Sequence, residues 1–107
     1  MRILGILRDI VSADSAARAQ GADAATDLIQ EYSDAETLIL TFVVGCSYEV
    51  ETDLAAQEAQ LHSLAEFAER GVLPKFVLRR VLGVGKAGLV GSSREHFDYL
   101  AEVADTE

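Results

Sequence analysis

Three side chains in the second half of the chain have the spacing of a helical metal site. Glu58, His62 and Glu66 lie four residues apart, so on a helix they could offer two carboxylates and an imidazole to a divalent cation. Di-iron helical bundles instead repeat a Glu-x-x-His pair on separate helices, and this sequence contains no such pair. The pattern therefore favours a solvated polar stripe with a surface histidine, and no metal ligand is predicted.

Two further patterns have the form of a catalytic or cofactor motif. Cys46 ends an apolar run, and the nearby carboxylates Glu49 and Glu51 would raise its thiol pKa, which predicts a buried structural cysteine. Residues 83–88 match G-x-G-x-x-G, but the 19 residues that follow cannot supply the second strand of a dinucleotide-binding unit. We therefore predict a flexible connection between helices there, no catalytic residue and no cofactor.

Acidic residues recur at helical spacing in two stripes. Like charges four residues apart repel by a few tenths of a kcal/mol on an isolated helix, so such a stripe carries more information than a face of mixed charge. A solvated face with no partner remains the alternative. The candidate contacts for a basic protein surface are Asp23, Asp27, Glu31 and Asp34 in the first stripe and Glu58, Glu66 and Glu69 in the second.

The overall charge also favours a basic partner. The chain has 18 acidic and 9 basic side chains, which gives a net charge of −9. Proteins that bind nucleic acid present a net basic face, so nucleic acid is not expected as a ligand. Residues 70–94 contain six of the basic side chains and no acid, and we expect this segment to pair with acidic segments elsewhere in the fold.

Length and composition predict one domain over residues 1–107. Half of the residues are hydrophobic, which is too many for a disordered chain. A single cysteine allows no intrachain disulfide and fits a reducing cytoplasm. The longest apolar run, residues 38–46, is far shorter than the ~20 residues that cross a bilayer. A cytoplasmic protein without membrane contact is the expectation.

The periodicity of apolar residues predicts an all-α fold, a compact bundle of five or six short helices. The β-branched residues in 38–52 leave a hairpin as the alternative there, but no other strand is evident to pair with it. Glycines at 83, 85, 88 and 91 predict a loop. Helices are expected over residues 3–11, over 14–32 with a possible break at Gly21, from the Ser33–Glu36 capping box through residue 44, from residue 47 or 53 to residue 70, from residue 74 to 82, and from a second capping box at residues 92–95 onward.

About half of the chain resembles small acidic helical proteins of bacteria. In these, a helix ends in Gly-hydrophobic-x-Pro, a shorter helix follows, and a last helix opens with polar residues and carries aromatic ones. The corresponding segments here are residues 66–71, 72–74, 76–82 and 92–100. Some proteins of this appearance are immunity proteins, which neutralise a cognate secreted toxin. The resemblance implies a toxin as partner and transfers no catalytic residue.

Three hypotheses about function follow. The first is a non-enzymatic immunity protein whose acidic surface covers a basic cleft of a toxin. The second is a structural adaptor or homo-oligomer that buries apolar surface around residues 38–44 or 76–82 against another copy. The third is a small metal-dependent enzyme that uses Glu58, His62 and Glu66.

Overall fold

The computed structural model describes residues 3–106, and this range is all-helical. Its radius of gyration is 12.5 Å, about the value of a compact chain of this length. Within residues 3–106 no helix combines the length and apolarity needed to cross a membrane. The helices are α1 (Leu4–Ile10), α2 (Ser15–Asp27), α3 (Asp34–Glu49), α4 (Leu54–Glu69), α5 (Lys75–Gly83) and α6 (Gly91–Asp105), with a 3₁₀ turn at Ile29–Glu31. The predicted all-α fold is confirmed, and α3 takes the place of the alternative hairpin.

Helix α4 lies at the centre of the bundle. It packs against α2, α3 and α6, so most of its circumference is covered. The ring of Tyr32, just after the 3₁₀ turn, stacks on Phe67 of α4 with 6.5 Å between ring centroids. The core around α4 is built from Leu40, Val44, Tyr48, Leu61, Leu64, Phe67, Val77, Leu78, Val81, Phe97 and Leu100.

Local side-chain chemistry sets several of the helix ends. The Ser33 hydroxyl accepts a hydrogen bond from the Glu36 amide at 3.1 Å, and the Glu36 carboxylate accepts one from the Ser33 amide at 2.9 Å. Asp53 caps α4 by accepting from the Ala56 amide at 2.9 Å. Gly71 follows α4 with a φ of 72°, a conformation that favours glycine. The first capping box and this stop signal are confirmed.

The predicted capping box at residues 92–95 is wrong. Helix α6 begins at Gly91, its N-cap is Val90, and no side chain caps it. Ser92 therefore already lies inside the first turn, whereas a capping side chain must precede the helix. Gly91 is thus the first helical residue and not part of the predicted loop.

Helix α2 is continuous through Gly21 but ends earlier than predicted. It stops at Asp27, and the 3₁₀ turn follows in place of the last helical turn. A Cβ atom on Gly21 would lie 2.6 Å from the backbone nitrogen of Ile10. Glycine is therefore required here because the end of α1 lies directly against α2, and it does not break the helix.

Candidate functional site

The two predicted acidic stripes come close together where α2 packs against α4. The second stripe lies on α4, but only Asp23 and Asp27 of the first lie on α2, because this helix ends before Glu31, in the 3₁₀ turn, and Asp34, at the start of α3. The helical spacing predicted for the first stripe is therefore wrong beyond Asp27.

Asp23 on α2 is close to Glu58 and His62 on α4. Desolvation is the main cause that raises the pKa of Asp23, and the Glu58 and Asp27 carboxylates raise it further, while His62 opposes them. These interactions place Asp23 of the first stripe beside Glu58 of the second, and the carboxylates of the two helices repel one another there.

Helices α2 and α4 run in the same direction along this surface. Asp23 neighbours the first half of α4, whereas Tyr32, beyond the end of α2, stacks on Phe67 near the end of α4. Glu31 and Asp34 therefore follow Asp23 in the same direction as Glu66 and Glu69 follow Glu58. We call the surface that carries these seven carboxylates the acidic face: Asp23, Asp27, Glu31, Asp34, Glu58, Glu66 and Glu69.

The acidic face is poor in compensating cations. Within residues 3–106, Asp23, Asp27, Asp34 and Glu69 form no ion pair. Two further carboxylates pair with histidines and not with lysine or arginine. Glu58 Oε1 lies 3.2 Å from Nε2 of His96, and Glu66 Oε1 lies 3.5 Å from Nε2 of His62. The surface therefore keeps most of its negative charge near pH 7.

Basic residues of the 70–94 segment pair with acids outside the acidic face. Arg80 bonds Glu49 at 3.0 Å, and both Lys86 and Arg94 lie within 3.6 Å of Asp98. The expected pairing between the basic segment and acidic segments is thus found at these three residues. It does not neutralise the acidic face.

The histidines of the acidic face stack on each other. The rings of His62 and His96 are 5.2 Å apart between centroids and inclined by 43°. Glu58 contacts His96 and not His62, so the predicted triplet is divided between two separate pairs. Within residues 3–106, no three His, Cys, Asp or Glu side chains are grouped so that they could hold a metal ion. Sequence spacing could not reveal the contact with His96, because it comes from α6.

A buried ion pair fixes the start of α4. The spacing of residues in the sequence does not reveal this pair either. The Glu51 side chain is 1% exposed and accepts two hydrogen bonds from the Arg18 guanidinium, at 2.7 and 2.8 Å. The Gln60 amide donates to the same carboxylate at 2.8 Å. Arg18 also donates to the carbonyls of Ser12 and Ala13. The ion pair therefore connects α2 to the segment that precedes α2 and to the segment that precedes α4. Its hydrogen bonds stabilise the fold.

We expect Glu51 to make the fold sensitive to acid. The Arg18 hydrogen bonds, followed by bonds from the Asp53 amide and from Gln60, lower the pKa of Glu51 from 4.5 to about 2. A lowered pKa stabilises the folded state above pH 4.5, and this contribution, about 3 kcal/mol, is lost as the pH falls towards 2. Urea denaturation between pH 7 and 2 measures it. Glu51→Gln has no carboxyl group to protonate at this site, so its free energy of unfolding should fall by about 3 kcal/mol less than that of the native protein over the same pH range. An equal fall in both proteins would contradict this role of Glu51.

Cys46 differs from its prediction. It is half-buried rather than buried and lines an open groove of about 560 Å³ with Val11, Phe42 and Val50. The residues of the G-x-G-x-x-G segment after Gly83 form the exposed loop between α5 and α6, in agreement with the predicted connection between helices.

No protein-family model, curated protein or solved structure matches this chain. Function is therefore inferred from the acidic face and from the apolar surface near Cys46.

Proposed function

We propose that this chain is a non-enzymatic domain that binds a basic surface of another protein through its acidic face. One observation carries the proposal. The acidic face gathers carboxylates of α2, α4 and the segment that joins α2 to α3. Four of them have no ion-pair partner in residues 3–106, while Glu58 and Glu66 pair only with histidine. This distribution leaves the charge available to another molecule.

One carboxylate of the acidic face, Asp23, is in an unfavourable electrostatic environment in the free protein. The pKa of Asp23 is raised by desolvation and by neighbouring carboxylates, so its charged form is disfavoured in the free protein. Lysine and arginine side chains of a partner would remove this repulsion when they bind. Complementary charge mainly speeds association and selects the partner, and both effects weaken as salt screens the charges.

The specific form of the proposal is an immunity protein that neutralises a toxin. Toxins that cleave nucleic acids need basic clefts to hold phosphates, and an acidic helical surface could occupy the same cleft. The resemblance of residues 47–100 to small acidic helical proteins supports this choice of partner. The proposal needs no catalytic residue, metal or cofactor in this chain.

Neutralising the acidic face should abolish binding of the partner. The immobilised protein is used to capture proteins from cells of its own source, and mass spectrometry identifies what is bound. We expect a basic protein to be recovered on the native chain and lost, at least tenfold, on the triple variant Asp23→Asn, Asp27→Asn, Glu66→Gln, because charge steers the complex together.

The matched control changes the same number of carboxylates elsewhere. Glu95→Gln, Glu102→Gln, Asp105→Asn alters α6 at exposed positions outside the acidic face and gives the same net charge as the triple variant. We expect it to retain the partner. Equal loss on both variants would mean that only net charge matters, and equal retention would mean that the acidic face is not the contact; either result contradicts the proposal.

A further inference from the structure

From Leu38 to its C-cap, helix α3 carries apolar side chains on its exposed side. Leu38, Phe42, Cys46 and Val50 recur every four residues and therefore lie on one side of the helix, and none of them is fully buried. Val50 is the most exposed of them, at 79%. Leu38 and Phe42 belong to the apolar segment that the second hypothesis selected, residues 38–44, and Cys46 and Val50 extend this stripe to the end of α3.

Neighbouring elements widen this stripe into a continuous surface. The open groove of about 560 Å³ and a second one of about 340 Å³ share Phe42 and Val43. Phe76 of α5 borders the second groove, and its ring centroid is 6.1 Å from that of Phe42. Val11, after α1, lines the first. We call this surface the α3 face: Val11, Leu38, Ile39, Phe42, Val43, Cys46, Val50 and Phe76.

The α3 face has the apolar area of one side of a stable protein interface. Its five exposed residues leave roughly 400–700 Å² in contact with water, taking about 150–250 Å² for a fully exposed large side chain. The largest apolar patch on a typical monomer is about 300–600 Å². A standard interface buries about 800 Å² per partner, of which about 60% is apolar. The face therefore supplies the apolar part of a complete interface.

We propose that a second copy of this chain covers the α3 face, in a two-fold symmetric dimer. Such an interface must be complementary to itself. Antiparallel α3 helices centred near residue 44 would set Leu38 opposite Val50 of the second copy and Phe42 opposite Cys46 of the second copy. Each of these two contacts pairs a larger side chain with a smaller one. Phe42 of one copy would enter the groove beside Cys46 of the other.

The charges near the α3 face permit this contact between two anionic copies. Residues 37–48 contain no charged side chain, and Glu49 is bonded to Arg80 at 3.0 Å. The net charge of −9 still opposes association of two copies at long range. Salt screens this repulsion, so the dimer should become tighter as salt is added, the opposite of the expected behaviour with a basic partner.

A matched pair of substitutions tests the dimer. Val50 is 79% exposed and lies in the α3 face, and Val90 is 73% exposed and lies outside it, so Val50→Lys and Val90→Lys change charge equally and disturb no core contact. Sedimentation equilibrium from about 1 to 200 µM should give the mass of two 11.5 kDa chains for the native protein and for Val90→Lys. In Val50→Lys the dimer dissociation constant should rise at least tenfold, because two lysines would be buried per dimer.

Three results would overturn the dimer. One is a native protein that stays monomeric up to 200 µM, which would leave the α3 face to a different protein. Another is equal weakening by both lysine variants, and the third is a dimer that weakens as salt rises. Circular dichroism of both variants verifies that the helices are retained. The proposal is independent of the acidic face, so its failure would not affect the function proposed above.

Discussion

Arg18→Met is expected to lower the free energy of unfolding by clearly more than the loss of an exposed ion pair would, because it leaves the buried Glu51 carboxylate without its cation. The Glu51 side chain is 1% exposed, and two of its hydrogen bonds come from this guanidinium, at 2.7 and 2.8 Å. The substitution also removes the donors to the carbonyls of Ser12 and Ala13, which hold the start of α2. Urea denaturation at pH 7 measures the loss.

Arg80→Met is the matched control for this prediction. Arg80 makes a comparable bidentate contact with Glu49, but its side chain is 53% exposed. Water solvates both partners of an exposed pair, so its loss should cost less than about 1 kcal/mol. If the two variants were destabilised equally, burial of Glu51 would not be the cause, and the structural role given to this pair would be wrong.

Gly21→Ala is expected to destabilise the protein by about 2–3 kcal/mol, although alanine is the better helix former. The added Cβ would lie 2.6 Å from the backbone nitrogen of Ile10 and 2.9 Å from its side chain. Backbone atoms cannot rotate away, so α1 must move from α2. Thermal or urea denaturation measures the effect.

Gly5→Ala separates the clash from helix propensity. Gly5 lies in α1, and a Cβ there would have no neighbour within 4 Å. This substitution should raise stability by about 0.5–1 kcal/mol. The two glycine variants are thus expected to shift stability in opposite directions, and a stabilised Gly21→Ala would show that α1 does not pack against α2 as described.

The sequence predicts those features of this fold that depend on near neighbours. A capping box needs only residues three apart, and Gly71 needs only its own positive φ, so both ends are found correctly. The same logic fails at residues 92–95, where the pattern is present but the chain enters the helix earlier. A spacing pattern names groups that can form a cap and does not determine where the backbone begins to turn.

Contacts between distant segments account for what sequence analysis misses. Helical spacing correctly placed the second acidic stripe on one helix, and Asp23 and Asp27 on another, but it did not show that α2 ends before Glu31 and Asp34. The approach of the two stripes depends on the parallel packing of α2 and α4.

The His96 contact with Glu58 and the Arg18 contact with Glu51 span 38 and 33 residues. Periodicity over one helix contains no information about such pairs. The buried role of Glu51 is therefore visible only in three dimensions.

The first two functional hypotheses use different surfaces of the molecule, the acidic face and the α3 face. The first uses the carboxylates of the acidic face, and the second uses the apolar residues of the α3 face. One dimer could therefore carry two acidic faces. The third hypothesis requires Glu58, His62 and Glu66 to bind one metal ion, but within residues 3–106 these side chains are not grouped as metal ligands.

The most direct test of the proposed function is the association rate with the basic protein recovered on the native chain. Stopped-flow mixing at about 50 and 500 mM salt should give an association rate constant that falls at least roughly tenfold, with a much smaller change in the dissociation rate. The Asp23→Asn, Asp27→Asn, Glu66→Gln variant should associate slowly at both salt concentrations. An association rate that is the same at both concentrations, in the native chain, would contradict recognition through the acidic face.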